Sequence, residues 1–258
     1  MDKKNFIFTI DDNIRFFREL SEKNGKSLFT HPYLKMLKEL HDDFGVKIQM
    51  NLFYQDTKFD LSAFSDKYRK EWENNSDWLK MSFHSEKEDV CPYENAGYEQ
   101  VYSECEKVQR EILRFAGKDS LAKTTTIHYC KTTLDGLNAL KKCGIKGLLG
   151  LYGDEEDPQT SYLNPDPVCE RIRAGEIMRV DGMAFGGIDI VLNCFNVPRI
   201  IGKLQRLQDR DLIKIMIHEQ YFYKDYAAYQ VDFREKLEKS FDFLISNGFS
   251  SCFFEDLL

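Results

Sequence analysis

The chain has 258 residues, a length that suits one (β/α) barrel around one core. With 42% hydrophobic and 31% charged residues it has the composition of a soluble globular protein, which excludes a disordered or fibrous chain. Its 36 basic and 43 acidic residues give a net charge of −7, which disfavours binding to a nucleic-acid backbone.

The sequence also indicates where the protein resides, through its lack of targeting signals and its cysteine pattern. The first apolar run is too short for a signal peptide, and no run approaches the ~18 residues of a membrane span. The seven cysteines are scattered and form no C-x-x-C pair, which is typical of free thiols in a reducing compartment. We therefore expect a cytoplasmic protein without a nucleic-acid or membrane partner, and the sequence leaves its oligomeric state open.

Strand-like and helical patterns alternate from one end of the chain to the other. In chain order they predict a strand at 5–10, a helix at 30–43 capped by Thr30, strands at 46–54 and 79–83, a helix at 98–116, a strand at 124–128, a helix from 134 to Gly144, strands at 147–151, 188–192 and 212–218, a helix from 233 to Asn247-Gly248, and a short strand at 252–254.

Seven or eight such units predict an α/β protein with a closed, parallel (β/α) barrel rather than an open sheet. The exception to the alternation is a long irregular insertion around 153–187, rich in proline, glycine and acidic residues. We find no linker or internal repeat, so the sequence predicts a single domain over 1–258.

Polar side chains stand at the carboxyl ends of the predicted strands, where active sites of parallel β/α folds lie. Three of the five histidines are among them, whereas His31 and His41 fall in a helix and are expected nearer the surface. The strand-end residues are Asp11, Asp12, His84, His128, Asn193 and His218.

Asp11 and Asp12 can share a site only because the strand ends there, since consecutive strand residues otherwise face opposite sides. One carboxylate could then bind a cation while its neighbour acts as a base. In the alternative interpretation, Asp12 only caps the helix that follows. His84 and Glu88 are four residues apart, so one helical turn would bring imidazole and carboxylate together as ligands for Zn²⁺, Mn²⁺, Fe²⁺ or Co²⁺.

His218 follows a strongly apolar run and is the candidate general acid. Glu219 and Tyr221, just after it, offer a carboxylate and an aromatic ring that would suit a sugar, although they would suit packing equally well. His128 could be a third metal ligand, a substrate hydrogen-bond donor or an orienting partner for Asp11, and the sequence does not choose among these roles.

Taken in order, these segments resemble the motifs of the polysaccharide deacetylase superfamily (NodB-type domains). Residues 8–13, Phe-Thr-Ile-Asp-Asp-Asn, resemble the first motif, T-F-D-D-G, and residues 83–88, Phe-His-Ser-Glu-Lys-Glu, resemble the second, H-[ST]-x-x-H. The hydrophobic run that ends at His218 resembles the last motif. Residues 126–130 stand where the third motif, R-x-P-Y, would be.

The resemblance implies a distorted seven- or eight-stranded (β/α) barrel with Asp11 as base, His218 as acid and Asp12 as metal ligand. The chain departs from the motifs at three places. Asn13 replaces a glycine, Glu88 replaces the second metal histidine, and no arginine stands ready to orient Asp11.

The sequence therefore predicts a metal-dependent hydrolase that deacetylates an N-acetylated sugar or polysaccharide intermediate. Asp12, His84 and Glu88 are the predicted ligands of a divalent metal, with His128 as the competitor of Glu88. Zn²⁺ is the expected metal, and Mn, Fe, Co or Ni are the alternatives. The competing hypotheses are a catalytically degenerate barrel that binds carbohydrate or a partner, and a metal site that serves another hydrolysis.

Overall fold

A computed structural model describes residues 4–23, 25–153 and 158–258. Its strands are β1 (Asn5–Asn13), β2 (Ile48–Phe53), β3 (Leu79–Ser85), β4 (Thr124–Thr125), β5 (Gly147–Gly150), β6 (Met178–Val180), β7 (Met183–Gly187), β8 (Ile190–Val191), β9 (Leu212–His218) and β10 (Ser250–Ser251). Its α-helices are α1 (Arg15–Lys23), α2 (Pro32–Phe44), α3 (Arg69–Asn74), α4 (Tyr98–Ala116), α5 (Leu134–Lys142), α6 (Asp166–Arg173), α7 (Val197–Leu207) and α8 (Phe233–Ser246).

The strands form two sheets with helices packed outside them. The first sheet has the order β3-β2-β1-β9-β8, with β10 also paired to β1. The second has the order β4-β5-β7-β6. Every strand pair among the described residues is parallel except β6 with β7. This parallel arrangement directs the carboxyl ends of the main strands to one face of the molecule.

Two junctions join the sheets into a ring. Residues 188 and 189 connect β7 to β8 and bond to a strand of each sheet. The amide of Ile188 donates to Gly150 O at the end of β5 (2.8 Å), and the amide of Asp189 donates to Lys214 O in β9 (2.8 Å). On the other side, Ala122 N donates to Met81 O (2.8 Å), and β3 thereby meets the segment before β4. The predicted distorted (β/α) barrel is confirmed.

The core lies inside this ring and between the strands and the helices. Strand β1 is buried from Phe6 to Asn13, and β9 is buried along most of its length. Helix α4 covers the predicted residues and presents one apolar face, and its end at Gly117 adopts φ 81°, a conformation that favours glycine.

Two predictions at the start of α2 are wrong. Thr30 does not cap α2, because its hydroxyl donates to Ser27 O (2.6 Å) within a 3₁₀ turn. His31 is the cap instead. Its Nδ1 accepts from Tyr33 N (3.3 Å). The His31 side chain is buried, whereas the sequence predicted that it lies near the surface. His41 is half-buried and stacks on Trp78, with ring centroids 4.4 Å apart.

The segment predicted to be irregular contains α6, β6 and β7; residues 154–157 lie outside the described part of the chain. Strand β7 escaped detection because it ends in Gly186-Gly187, and glycine has a low strand propensity. Close packing explains both glycines. A Cβ on Gly187 would lie 3.0 Å from the Ile172 side chain, and one on Gly186 would lie 3.0 Å from Leu149.

Candidate metal centre and active site

The first strand ends in a bulge that turns both aspartates into the barrel. The register between β1 and β2 shifts between Ile10 and Asn13, and Asp12 between them has φ 63°. Asn13 stabilises this turn, because its Nδ2 donates to Ile10 O (2.6 Å) and to Asn51 O (3.1 Å). The residue that replaces the motif's glycine is therefore buried and structural.

Asp12, His84 and His128 bring three metal-binding atoms together. Asp12 Oδ1 lies 3.0 Å from His84 Nε2 and 3.4 Å from His128 Nδ1, and these two nitrogens are 3.1 Å apart. Among the described residues this is the group of three or more histidine, cysteine, aspartate or glutamate side chains that could hold a metal ion. Asp12 comes from the first sheet and His128 from the segment after β4.

The donor set fits a divalent transition metal. In a tetrahedral site with bonds of about 2.0–2.2 Å, neighbouring ligand atoms are about 3.3–3.6 Å apart, close to the separations seen here. Asp12 Oδ1 is buried and faces the two imidazole nitrogens. One carboxylate and two imidazoles suit Zn²⁺ and its neighbours in the first transition series.

A backbone carbonyl orients His84. Its Nδ1 lies within hydrogen-bond distance of Thr126 O, so in the neutral ring the proton resides on Nδ1 and Nε2 keeps its lone pair. That lone pair, one on His128 and one on Asp12 then converge on the same point. A metal ion at that point would be bound by all three atoms, and in its absence a proton on His84 Nε2 hydrogen-bonds to Asp12.

The charges of the cluster shift its pKa values. Burial acts to raise the pKa of Asp12, but the hydrogen bond and charge of His84, with His218, hold it well below its usual range. Burial acts to lower the pKa of His84, but the charges of Asp11 and Asp12 raise it above the usual value. Burial, followed by the charge of His84, lowers the pKa of His128 to about 4, so His128 is a neutral ligand at pH 7.

His128 occupies a 3₁₀ turn, His128–Cys130, where the sequence had predicted the end of a strand. Strand β4 stops at Thr125, and Tyr129 and Cys130 adopt φ values of 63° and 55°. Such left-handed conformations cost energy in residues other than glycine and are characteristic of functional sites. The turn directs the His128 ring toward Asp12.

Glu88 lies outside the three-residue cluster, contrary to the sequence prediction. Strand β3 continues through Ser85 and no helical turn forms after it, so the four-residue spacing does not bring Glu88 beside His84. Glu88 is exposed and lines the cavity next to Asp12. Burial and the charge of Asp12 raise its pKa, as expected for a carboxylate that faces another without a shared cation.

Asp11 and His218 lie side by side on β1 and β9, where they are register partners. Asp11 is buried, and its Oδ1 accepts from Asn51 Nδ2 (2.6 Å). Burial raises the pKa of Asp11 despite the positive charges of His84 and His218. His218 Nδ1 contacts Asn193 Oδ1 at 2.9 Å. The residues predicted as base and acid are thus adjacent, beside the Asp12, His84 and His128 cluster.

Glu219 has a structural role in place of the predicted contact with substrate. It is fully buried, and its carboxylate accepts the backbone amides of Ile14 (2.7 Å), Arg15 (3.0 Å) and Phe16 (2.8 Å). Tyr223 donates to it as well (2.6 Å). Glu219 therefore caps α1. The alternative prediction, that Asp12 caps this helix, is wrong.

A cavity of about 290 Å³ opens beside Asp12. Phe53 and Tyr226 contribute aromatic rings to its wall. The charged side chains in the wall include two ion pairs, Arg15 with Asp225 and Arg18 with Asp56, together with Lys58 and Glu88. The predicted Tyr221 is half-buried between His218 and Tyr226, with ring centroids 6.1 and 5.2 Å away.

Several site residues escaped the sequence analysis. Gln220 donates to Asp12 Oδ2 (2.6 Å), and Asn51 binds Asp11. For Asn51 a signal was available, because Gln49 and Asn51 alternate with apolar residues in a wholly buried strand. For Gln220 no local pattern distinguishes it from its polar neighbours.

Comparison with solved structures finds the same barrel in carbohydrate-active enzymes. A 4-α-glucanotransferase from Thermococcus litoralis matches with a TM-score of 0.64 and 14% identity, over 99% of this chain and 40% of that one. A peptidoglycan N-acetylglucosamine deacetylase matches with a TM-score of 0.55 and 12% identity, over 100% and 89%. A family 4 acetyl xylan esterase from Clostridium thermocellum, in complex with a cobalt ion, gives 0.54 and 13%, over 98% and 90%.

The chain has the fold of the polysaccharide deacetylases. The resemblance seen in the sequence motifs is thus confirmed at the level of the fold. The chain spans nine tenths of the esterase but only 40% of the glucanotransferase. No protein-family model and no curated protein matches the sequence. Among the described residues, no helix is long and apolar enough to cross a membrane.

Proposed function

We propose that this protein is a metal-dependent hydrolase that removes the acetyl group from an N-acetylated sugar or polysaccharide intermediate. The observation that carries the proposal is the convergence of Asp12 Oδ1, His84 Nε2 and His128 Nδ1 within 3.0–3.4 Å of one another. Asp11 and His218, a carboxylate and an imidazole with no place in that cluster, lie directly beside it.

Asp12, His84 and His128 would hold the metal, with Zn²⁺ as the proposed ion and Mn, Fe, Co or Ni as alternatives. A divalent cation there supplies Lewis-acid polarisation of the acetyl carbonyl. Asp11, buried beside these three residues, would accept a proton from the attacking water. His218 donates a proton to the departing amine.

The substrate class comes from the fold and the cavity together. Two of the matched structures are, by name, an acetyl xylan esterase and an N-acetylglucosamine deacetylase. The cavity beside Asp12 measures about 290 Å³, near the lower limit of small-molecule pockets. Its aromatic rings and paired charges suit the apolar face and the hydroxyl groups of one sugar unit, with Tyr221 as a further candidate contact.

Elemental analysis of protein purified without chelator is the first test. We expect about one zinc, manganese, iron, cobalt or nickel per wild-type chain and none in His84→Ala. His41→Ala is the matched control, because His41 stacks on Trp78 away from the cluster and its loss should leave the metal in place.

Acetate release is the second test. Metal-loaded wild type should release acetate from N-acetylglucosamine oligosaccharides, and His84→Ala should not. If the wild type binds metal and glycan but releases no acetate, the deacetylase proposal is wrong and the degenerate binding barrel takes its place. Release of phosphate or reducing sugar instead would indicate a different hydrolysis at the same metal.

A further inference from the structure

Asp11 and His218, which lie beside the Asp12, His84 and His128 cluster, both form hydrogen bonds with neutral amide side chains. Asp11 accepts from the side chain of Asn51, and His218 donates to the side chain of Asn193. Neither contact involves an arginine or an aspartate, the charged partners that such a carboxylate and imidazole could have had. Asn51 and Asn193 have no other assigned part in the site.

The Asn51 amide has one orientation only. Its Oδ1 accepts from Gln49 Nε2 (2.9 Å), so its Nδ2 must face Asp11. Gln49 is fixed in turn, since it donates to Thr124 O (2.9 Å) and accepts from Thr124 Oγ1 (2.9 Å). A fully satisfied buried network of this kind holds its members rigidly.

Asn193 is fixed in the same way. Its Oδ1 accepts from both the backbone amide (3.3 Å) and Nδ1 (2.9 Å) of His218, and its backbone carbonyl accepts from Gln230 Nε2 (2.7 Å). Gln230 accepts in turn from Lys236 (2.6 Å). With the His218 proton bound to Nδ1, the other ring nitrogen is the one free to exchange protons with a substrate.

We propose that Asn51 and Asn193 are positioning residues that orient Asp11 and His218 for proton transfer without adding charge to the site. The inference rests on the function proposed above for Asp11 and His218. It predicts that each asparagine acts through its one partner and through nothing else.

The kinetic test uses isosteric variants. Asn193→Leu removes the acceptor and should lower kcat by about 100-fold or more while KM stays within about threefold. Asn193→Asp keeps an oxygen in the same place and should restore most of that loss. Asn164→Leu, at another buried asparagine bonded to Tyr152, controls for loss of a buried amide and should keep kcat. A near wild-type kcat in Asn193→Leu, or no rescue by aspartate, would overturn the proposal.

Asn51 is tested by a double-mutant cycle. A single substitution would remove both its hydrogen bond to Asp11 and its hydrogen bond from Gln49, and the cycle isolates the first of these. Asn51→Leu should lower kcat in the wild-type background and have no further effect in Asp11→Asn. Equal, additive losses in both backgrounds would show a merely structural role. Asn51→Ala replaces Asn51→Leu if the larger side chain prevents folding, as judged from metal content and the thermal transition.

A third readout does not depend on activity. In ¹⁵N-histidine-labelled protein the nitrogen shifts of His218 should show the proton on Nδ1 in wild type and in Asn193→Asp, and a mixture of tautomers in Asn193→Leu. An unchanged tautomer in Asn193→Leu would refute the positioning role. If this result is positive while no substrate releases acetate, the proposed deacetylation fails and the positioning role stands.

Discussion

The two sheets of the barrel contribute to the site in different ways. Three strands of the first sheet, β1, β3 and β9, have seven to nine residues and supply Asp11, Asp12, His84 and His218 at their ends. The second has strands of two to five residues and supplies only His128, from a strained turn. Long buried strands deliver side chains by their regular alternation, whereas a short strand leaves room for a turn that places one ligand by its own backbone conformation.

The largest expected effect separates the two neighbouring aspartates of the first sheet. Asp11→Asn removes the proposed base and should lower kcat by about 10²–10⁴-fold, while the expected metal content of one per chain should not change. Asp12→Asn should lose the metal as well as the activity. Steady-state kinetics and metal analysis of both variants check this. If Asp11→Asn also lost the metal, Asp11 would be a ligand and the division of roles would be wrong.

The contribution of the second sheet is tested by the third ligand. His128→Ala should weaken zinc binding by at least about 100-fold, because it removes one of three ligands and such losses exceed those seen for residues that only support a ligand. Glu88→Ala should bind zinc like the wild type. Competition with a chelating dye measures both affinities. The reverse result would return Glu88 to the metal and leave the second sheet without a ligand.

The junction of the first sheet with α1 is tested through Glu219. Glu219→Gln replaces a carboxylate whose two oxygens accept hydrogen bonds from three backbone amides. The NH₂ of the new side chain takes the place of one of these oxygens and must then face a backbone N–H donor. We expect the free energy of unfolding to fall by about 2–3 kcal/mol, measured by urea denaturation. Glu235→Gln, an exposed residue in the first turn of α8, is the control and should change it by less than about 0.5 kcal/mol. Equal stability of both variants would contradict the capping role.

The smallest effect concerns the buried cap of α2. Burial lowers the pKa of His31 although Glu19 acts to raise it, so the folded state binds its proton less readily than the unfolded state. Stability from this group is therefore present above the unfolded pKa of about 6.5 and is lost as the pH falls through and below that value. His31→Asn keeps a cap but does not titrate, so its unfolding free energy should fall less than that of the wild type between pH 8 and pH 5. Parallel pH profiles would show that His31 contributes nothing to the pH dependence.

The sequence predicted the elements with strong local patterns. Helix α4 and strand β9 have the predicted bounds, because an apolar stripe or an apolar run depends only on neighbouring residues. The same logic found Asp11, Asp12, His84 and His218, since strand ends can be recognised locally. It failed at β7, where two glycines conceal a strand, and at residues 124–128, where a strand gives way to a turn.

By itself, then, the sequence determined the barrel, the face that carries the site and four of its side chains. Only the tertiary structure decided that His128 rather than Glu88 meets Asp12 and His84, that Glu219 caps a helix, and that Asn51 and Asn193 contact Asp11 and His218. The physical reason is the same in each case. Strand-end chemistry is set by short-range patterns, but the partner of a side chain across the barrel depends on how distant strands close into a ring and where each backbone turns.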